Sequence, residues 1–89
     1  MTDRPWHVYI VRCADNTYYT GIARDLQARI HAHDAGTGAR YTRGRGPVTL
    51  VYSEPAADRP AALRRELAIK RLTRAAKRKL IASDDVQGS

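Results

Sequence analysis

The 89-residue sequence holds one cysteine, Cys13, which excludes an internal disulfide framework and a cysteine-based zinc cluster. No apolar run approaches the ~18 residues of a membrane-spanning helix, so no membrane partner is expected. The opening Met1-Thr2-Asp3-Arg4-Pro5 lacks the apolar stretch of a secretory signal, and the expected location is cytoplasmic, with the nucleoid as one site within it. Acidic residues are scarce: nine Asp and Glu against sixteen Lys and Arg leave a net charge of +7. Such an excess points to an acidic partner, and nucleic acid is the commonest one. Internal repeats, low-complexity tracts and long linkers are missing too.

What is present suits one small globular domain over residues 1–89, with a core at about 6–82 and a frayed tail at 83–89. Hydrophobic residues make up 43% of the chain and charged residues 28%, a composition that can bury a core. The cations cluster. Arg59, Arg64, Arg65, Lys70, Arg71, Arg74, Lys77, Arg78 and Lys79 share one stretch with a lone acid, Glu66. Arg40, Arg43 and Arg45 lie with Tyr41 in a second, glycine-rich stretch. Thirteen of the sixteen cations are arginine, whose planar fork matches phosphate oxygens.

Trp6–Arg12 is β-branched and aromatic and reads as a strand. Asp15-Asn16-Thr17 offers turn chemistry before a return strand over Tyr18–Ile22. Asp25 can cap a helix reaching about Ala35, with Leu26 and Ile30 inward and Gly36 as its stop. Gly36–Pro47 reads as a loop and Val48–Tyr52 as a third strand. Asp58 and Pro60 open a second helix, with Leu63, Leu67 and Ile69 inward. Thr73 caps a third, with Ala76, Leu80 and Ile81 along it. The expected architecture is α+β, a three-stranded sheet flanked by helices in the order β-β-α-β-α-α.

Strand alternation puts Tyr9 on the face shared by His7 and Val11, and Tyr19 on the face shared by Gly21. Arg29 follows on the first helix, with His33 one turn further on the same side. Two phenols, a cation, an imidazole and the isolated Glu66 form a kit suited to phosphodiester hydrolysis. It contains groups to activate water, to bear developing charge and to ligate a metal. His31 and His33 do not share a helix face, so a zinc pair is not expected. Gly36, Gly38 and Tyr41 fall short of a dinucleotide-binding loop.

The string Val8-Tyr9-Ile10, Tyr19-Thr20-Gly21, Arg29, His33 and Glu66 resembles the GIY-YIG nuclease domain. Tyr19 lies ten positions after Tyr9, and Arg29 ten positions after Tyr19. The resemblance covers about Trp6 to Ile81 and is greatest to the small stand-alone bacterial members. The stretch Gly38 to Pro47 is also similar to the loop of the structure-selective, junction-cutting branch. The sequence departs from the pattern in places. His7 and Val8 precede the first Tyr, Thr20 sits inside the second motif, and Ile22 stands where excision-repair members carry Lys. Lys77 stands in place of their late Asn.

The resemblance implies a metal-dependent DNA endonuclease of low sequence specificity, in DNA repair or processing. Glu66 would hold one divalent cation, Mg²⁺ or Mn²⁺, bridging to the scissile phosphate. Arg29 would stabilise the charged phosphorus centre, and Tyr9 or Tyr19 would accept the proton of the attacking water. A tyrosine, ordinarily titrating near 10, needs cationic neighbours for that task, and Arg29 and the metal are the candidates. His33 would assist or orient the water. Arg40, Tyr41, Arg43, Arg45, Lys70 and Lys77 would grip DNA, although Lys70 is also placed to pair with Glu66 at i, i+4. A monomer is expected, with a separate targeting protein as a further partner. The competing expectation is a DNA- or RNA-binding module that keeps the fold without turnover.

Overall fold

The structure, a computed structural model, describes residues 5–88, with side-chain surroundings described to Ser83. Three strands and three helices follow the expected order: β1 (Trp6–Arg12), β2 (Tyr18–Ala23), α1 (Leu26–Asp34), β3 (Thr49–Ala56), α2 (Arg59–Lys70) and α3 (Arg74–Gly88). The strands form one antiparallel sheet in the order β2-β1-β3, with β1 in the centre. The fold class is the α+β arrangement anticipated from the sequence.

Caps act where the sequence places them. The Asp25 carboxylate accepts from the Ala28 N–H at 3.1 Å, and Asp58 accepts from Ala61 at 2.9 Å. Thr73 Oγ1 accepts from Ala76 at 3.1 Å, starting α3. Each satisfies an N–H that the first helical turn leaves without a partner. Strand β3 runs past Tyr52 to Ala56, through Pro55. As an edge strand it tolerates a residue that cannot donate to a neighbour. Helix α3, which hydropathy follows only to Ile81, continues because nothing interrupts it before Gly88. Ser89 lies outside the described residues.

Two clusters form the interior, one on each face of the sheet. On one face Val8 and Ile10 pack with Tyr52, Ala62 and Ile69, backed by Leu80 and Ile81 of α3. On the other face Tyr9, Val11, Cys13, Ala23 and Val48 pack with Tyr19, Leu26, Ile30 and Leu50. The burial expected for α2 needs correction. Ile69 is buried as anticipated, but its companion is Ala62, while Leu63 is 37% and Leu67 51% exposed. Ala62 and Ile69 lie two turns apart on one stripe, where a small alanine lets the helix approach the sheet. Leu63 and Leu67 are rotated off that stripe and project outward.

Candidate functional site

Tyr9 stands at the middle of the central strand and is fully buried. Its cross-strand partner is Gly21, and nothing larger fits. A Cβ there would lie 2.6 Å from the Tyr9 hydroxyl oxygen and 2.8 Å from Cζ. The glycine of the second motif is therefore the space the Tyr9 ring occupies. Tyr19, paired with Val11, shares this face, with its ring centroid 6.5 Å from that of Tyr9.

Helix α1 brings His33 onto the same face. Its Nε2 lies 2.6 Å from the Tyr9 hydroxyl and its Nδ1 2.8 Å from Thr42 Oγ1. The network assigns the tautomer. Thr42 has one proton and donates it to the Ala39 carbonyl at 3.0 Å, so toward His33 it can only accept. Nδ1 then carries the hydrogen, and bare Nε2 accepts from Tyr9 O–H. The Ala39 N–H, 3.3 Å from Nδ1, is the longest contact of the set and competes with this arrangement. Gly38 leaves room for the imidazole, since a Cβ there would meet Nδ1 at 2.5 Å.

Electrostatics tie the remaining groups to this pair. Burial pushes the Tyr9 phenol up to about 12 from its ordinary 10.0, against the lowering influence of the Arg29 guanidinium. The charges of Tyr19 and Glu66 reinforce the rise, which puts both within reach of Tyr9. The expectation that cations would bring a tyrosine toward neutrality is not met at Tyr9: desolvation outweighs Arg29. His33 is pushed the opposite way, below its ordinary 6.5, first by burial and then by Arg29. At neutral pH it is an uncharged imidazole able to accept a proton. Arg29 keeps a buried Nε with no hydrogen-bond partner and borders a shallow hollow of about 370 Å³.

Tyr41 stacks on Tyr19, with centroids 5.8 Å apart and planes at 24°. The Arg45 guanidinium lies 4.3 Å from the Tyr41 centroid and is ion-paired with Asp15. The Ala14 N–H donates to the Arg45 carbonyl at 2.8 Å, so the loop is fastened to the β1–β2 turn at two points. From α2, Lys70 Nζ sits 3.4 Å from Glu66 Oε2 and 5.9 Å from the Tyr19 centroid.

The structure thus gathers Tyr9, Tyr19, Arg29, His33, Tyr41, Glu66 and Lys70. Arg45 joins through Tyr41, whereas Arg40 and Arg43 are exposed on the loop. Lys77, on α3, shares none of the described hydrogen bonds, ion pairs or ring contacts of this cluster. The sequence reading missed Thr42, which is fully buried and fixes His33, and Asp15, which holds Arg45. No spacing singles out either one.

Among the described residues no group of three or more His, Cys, Asp or Glu gathers to hold a metal. The Glu66 carboxylate acts on Tyr9 through its charge, and its side chain is 18% exposed. One accessible carboxylate does not fit a dehydrated zinc site. It does fit a hard cation that keeps most of its water and takes further oxygens from a phosphate.

Comparison with known proteins finds similarity along most of the chain. The family model described as the GIY-YIG catalytic domain matches residues 5–79. A UPF0213 protein of Halobacterium salinarum is 53% identical over 74 residues, covering 83% of this chain and 96% of that protein. The UPF0213 protein YhbQ of Escherichia coli is 47% identical over 78 residues, covering 88% and 78%. The solution structure of a UPF0213 protein of Bacillus halodurans is similar at 42% identity and a TM-score of 0.56, covering 86% and 82%. That of a protein of E. faecalis is similar at 30% identity and a TM-score of 0.63, covering 96% and 91%. Among the described residues, no helix is long and apolar enough to cross a membrane.

Proposed function

This chain belongs to the GIY-YIG catalytic domain family, and from that premise we propose that it hydrolyses DNA phosphodiester bonds with a divalent cation, in DNA repair or processing. The observation that carries this reading is the 2.6 Å contact between the Tyr9 hydroxyl and His33 Nε2, set beside Arg29 and Glu66. A module that only gripped a phosphate backbone would need surface cations. It would have no use for a fully buried phenol bonded to a neutral imidazole.

The chain's own groups supply the proton path. Water attacks phosphorus, a new P–O bond forms as the P–O3′ bond breaks, and the water proton passes to Tyr9 as the Tyr9 proton passes to His33 Nε2; the departing 3′ oxygen takes its proton from solvent. Alone, Tyr9 is too weak an acid to exist as phenolate at neutral pH, so coupling to His33 is what lets it act as a base. Thr42 holds the imidazole in the tautomer this transfer requires. Arg29 donates to the non-bridging oxygens as charge builds on phosphorus, an interaction strongest in the transition state. The substrate phosphate beside Arg29 also offsets the positive charge that depresses His33, making the imidazole a better acceptor once substrate is bound. A cation held by Glu66, when bound, supplies Lewis-acid stabilisation of the leaving 3′ oxygen. Arg40, Arg43 and Tyr41 offer charge and an aromatic face to the strand beyond the scissile bond.

The test uses end-labelled single-stranded, duplex and branched DNA with Mg²⁺ or Mn²⁺. Wild type should cut at least one of these, and Glu66→Ala and Arg29→Ala should each lose most of that activity. Absence of cutting by wild type, or cutting by both variants at the wild-type rate, would return the chain to the competing reading of a binding module.

A further inference from the structure

Glu66 does not stand free. Lys70, one turn along α2, places its ammonium 3.4 Å from Glu66 Oε2 and 5.9 Å from the Tyr19 ring centroid. The ammonium therefore reaches both the carboxylate and one of the two site tyrosines. We propose that Lys70 is a resident cation that occupies the Glu66 carboxylate until nucleic acid draws it away, so that divalent-ion loading is coupled to substrate binding. This rests on reading Glu66 as the cation-binding carboxylate.

The physical argument starts from a weak pair with a mobile end. The Lys70 side chain is 48% exposed against 18% for Glu66, so the ammonium can swing into solvent while the carboxylate stays in place. An ion pair of this kind exchanges readily. A divalent ion arriving at Glu66 displaces the ammonium from its partner and is repelled by it at short range. For a +1 charge about 5 Å from a +2 charge in a water-like medium, that repulsion amounts to about tenfold in affinity. A phosphodiester changes the balance. Its oxygens attract the ammonium, which as a point charge can follow them without fixed geometry, and they also offer ligands to the metal. Phosphate binding thus removes the competitor and completes the ion's shell in one event. By linkage, metal and nucleic acid each tighten the other.

Mn²⁺ binding to the full chain, followed by the EPR signal of the free ion without nucleic acid, tests this. Lys70→Met keeps an unbranched side chain one atom shorter and removes its charge, so it should bind Mn²⁺ about tenfold more tightly than wild type. Lys70→Arg should match wild type, and Glu66→Gln should not bind. Adding a phosphorothioate DNA oligonucleotide should shrink the gap between wild type and Lys70→Met. Equal affinity of wild type and Lys70→Met, with binding lost in Glu66→Gln, overturns the role of Lys70 and leaves Glu66 as the ligand. Binding that survives Glu66→Gln, or that no chain displays, overturns the reading beneath it and the proposal with it.

Discussion

The two faces of strand β1 are equally buried and chemically opposite. Val8 and Ile10 point to one side, where Tyr52, Ala62 and Ile69 enclose them in apolar surface. Tyr9 points to the other, where its hydroxyl enters a chain of hydrogen bonds through His33 and Thr42 to the Ala39 carbonyl. Burial stabilises the first face in proportion to apolar area and makes no demand on direction. On the second face the buried Tyr9, His33 and Thr42 side chains bond to one another, and that pairing aligns a proton donor with a proton acceptor. A single strand thus separates cohesion from chemistry by the parity of its residues.

The largest test breaks this separation at Tyr9. Tyr9→Phe keeps the ring and removes the hydroxyl, so cleavage should fall by about 10²–10⁴-fold, the usual worth of a positioned acid–base group. Stability should fall by only about 1 kcal/mol, for one hydrogen bond and a less satisfied imidazole. Chemical denaturation measured beside the cleavage assay checks both, and an unfolded Tyr9→Phe would show that the hydroxyl is structural. The reciprocal change belongs on the other face. Ile69→Ala removes a fully buried side chain and should cost about 2–5 kcal/mol, visible as a lower denaturation midpoint. The intact fraction of that variant should cleave at the wild-type rate. A rate deficit beyond the unfolded fraction would mean that the two faces are coupled.

The faces also differ in how far they were legible in the sequence. Strand parity, the caps at Asp25, Asp58 and Thr73, and the Tyr9, Tyr19, Arg29 and His33 set are local patterns, and a local pattern can be read in one dimension. Leu63 and Leu67 were misassigned because an amphipathic helix does not record which stripe will dock. Ala62, too small to announce itself, sits where α2 meets the sheet. Thr42 was illegible for a different reason. It meets His33 only because the loop from Gly36 folds back over α1, and Gly38 permits the close approach. Asp15 and Arg45, 30 positions apart, meet only after the β1–β2 turn and the loop are in place. Motif spacing brings out the groups proposed to react; the contacts that hold them are tertiary.

A milder test targets an irregularity on the apolar face. Thr20 pairs with Ile10, is 3% exposed, and has a hydroxyl with no hydrogen-bond partner. Thr20→Val replaces the hydroxyl with a methyl of similar size on a β-branched frame, suited to a strand. The gain should be about 1 kcal/mol, or about 4–8 °C in Tm for a domain of this length. Cleavage should not change, since Thr20 points away from Tyr9. A loss of stability would reveal that the hydroxyl has a partner in solution.

The smallest test asks whether the site face is as dry as the apolar one. His33 is held below its ordinary 6.5 by burial first and Arg29 second, so the folded chain resists protonating it while the unfolded chain does not. Where the unfolded state binds more protons, stability rises with pH. Its contribution is therefore intact above about pH 6.5, and acidification below that value erodes it until the folded imidazole titrates. Wild type and His33→Gln share every other side chain, so the difference between these chains isolates His33. Wild type should be the more stable at pH 7.5, and its advantage should shrink between pH 6.5 and 5. A constant advantage would mean that water reaches His33 freely and that the imidazole is not kept neutral by the fold. Inorganic phosphate adds a sharper comparison. If an anion at Arg29 offsets the charge that depresses His33, the advantage should shrink less steeply in phosphate than in chloride at equal ionic strength.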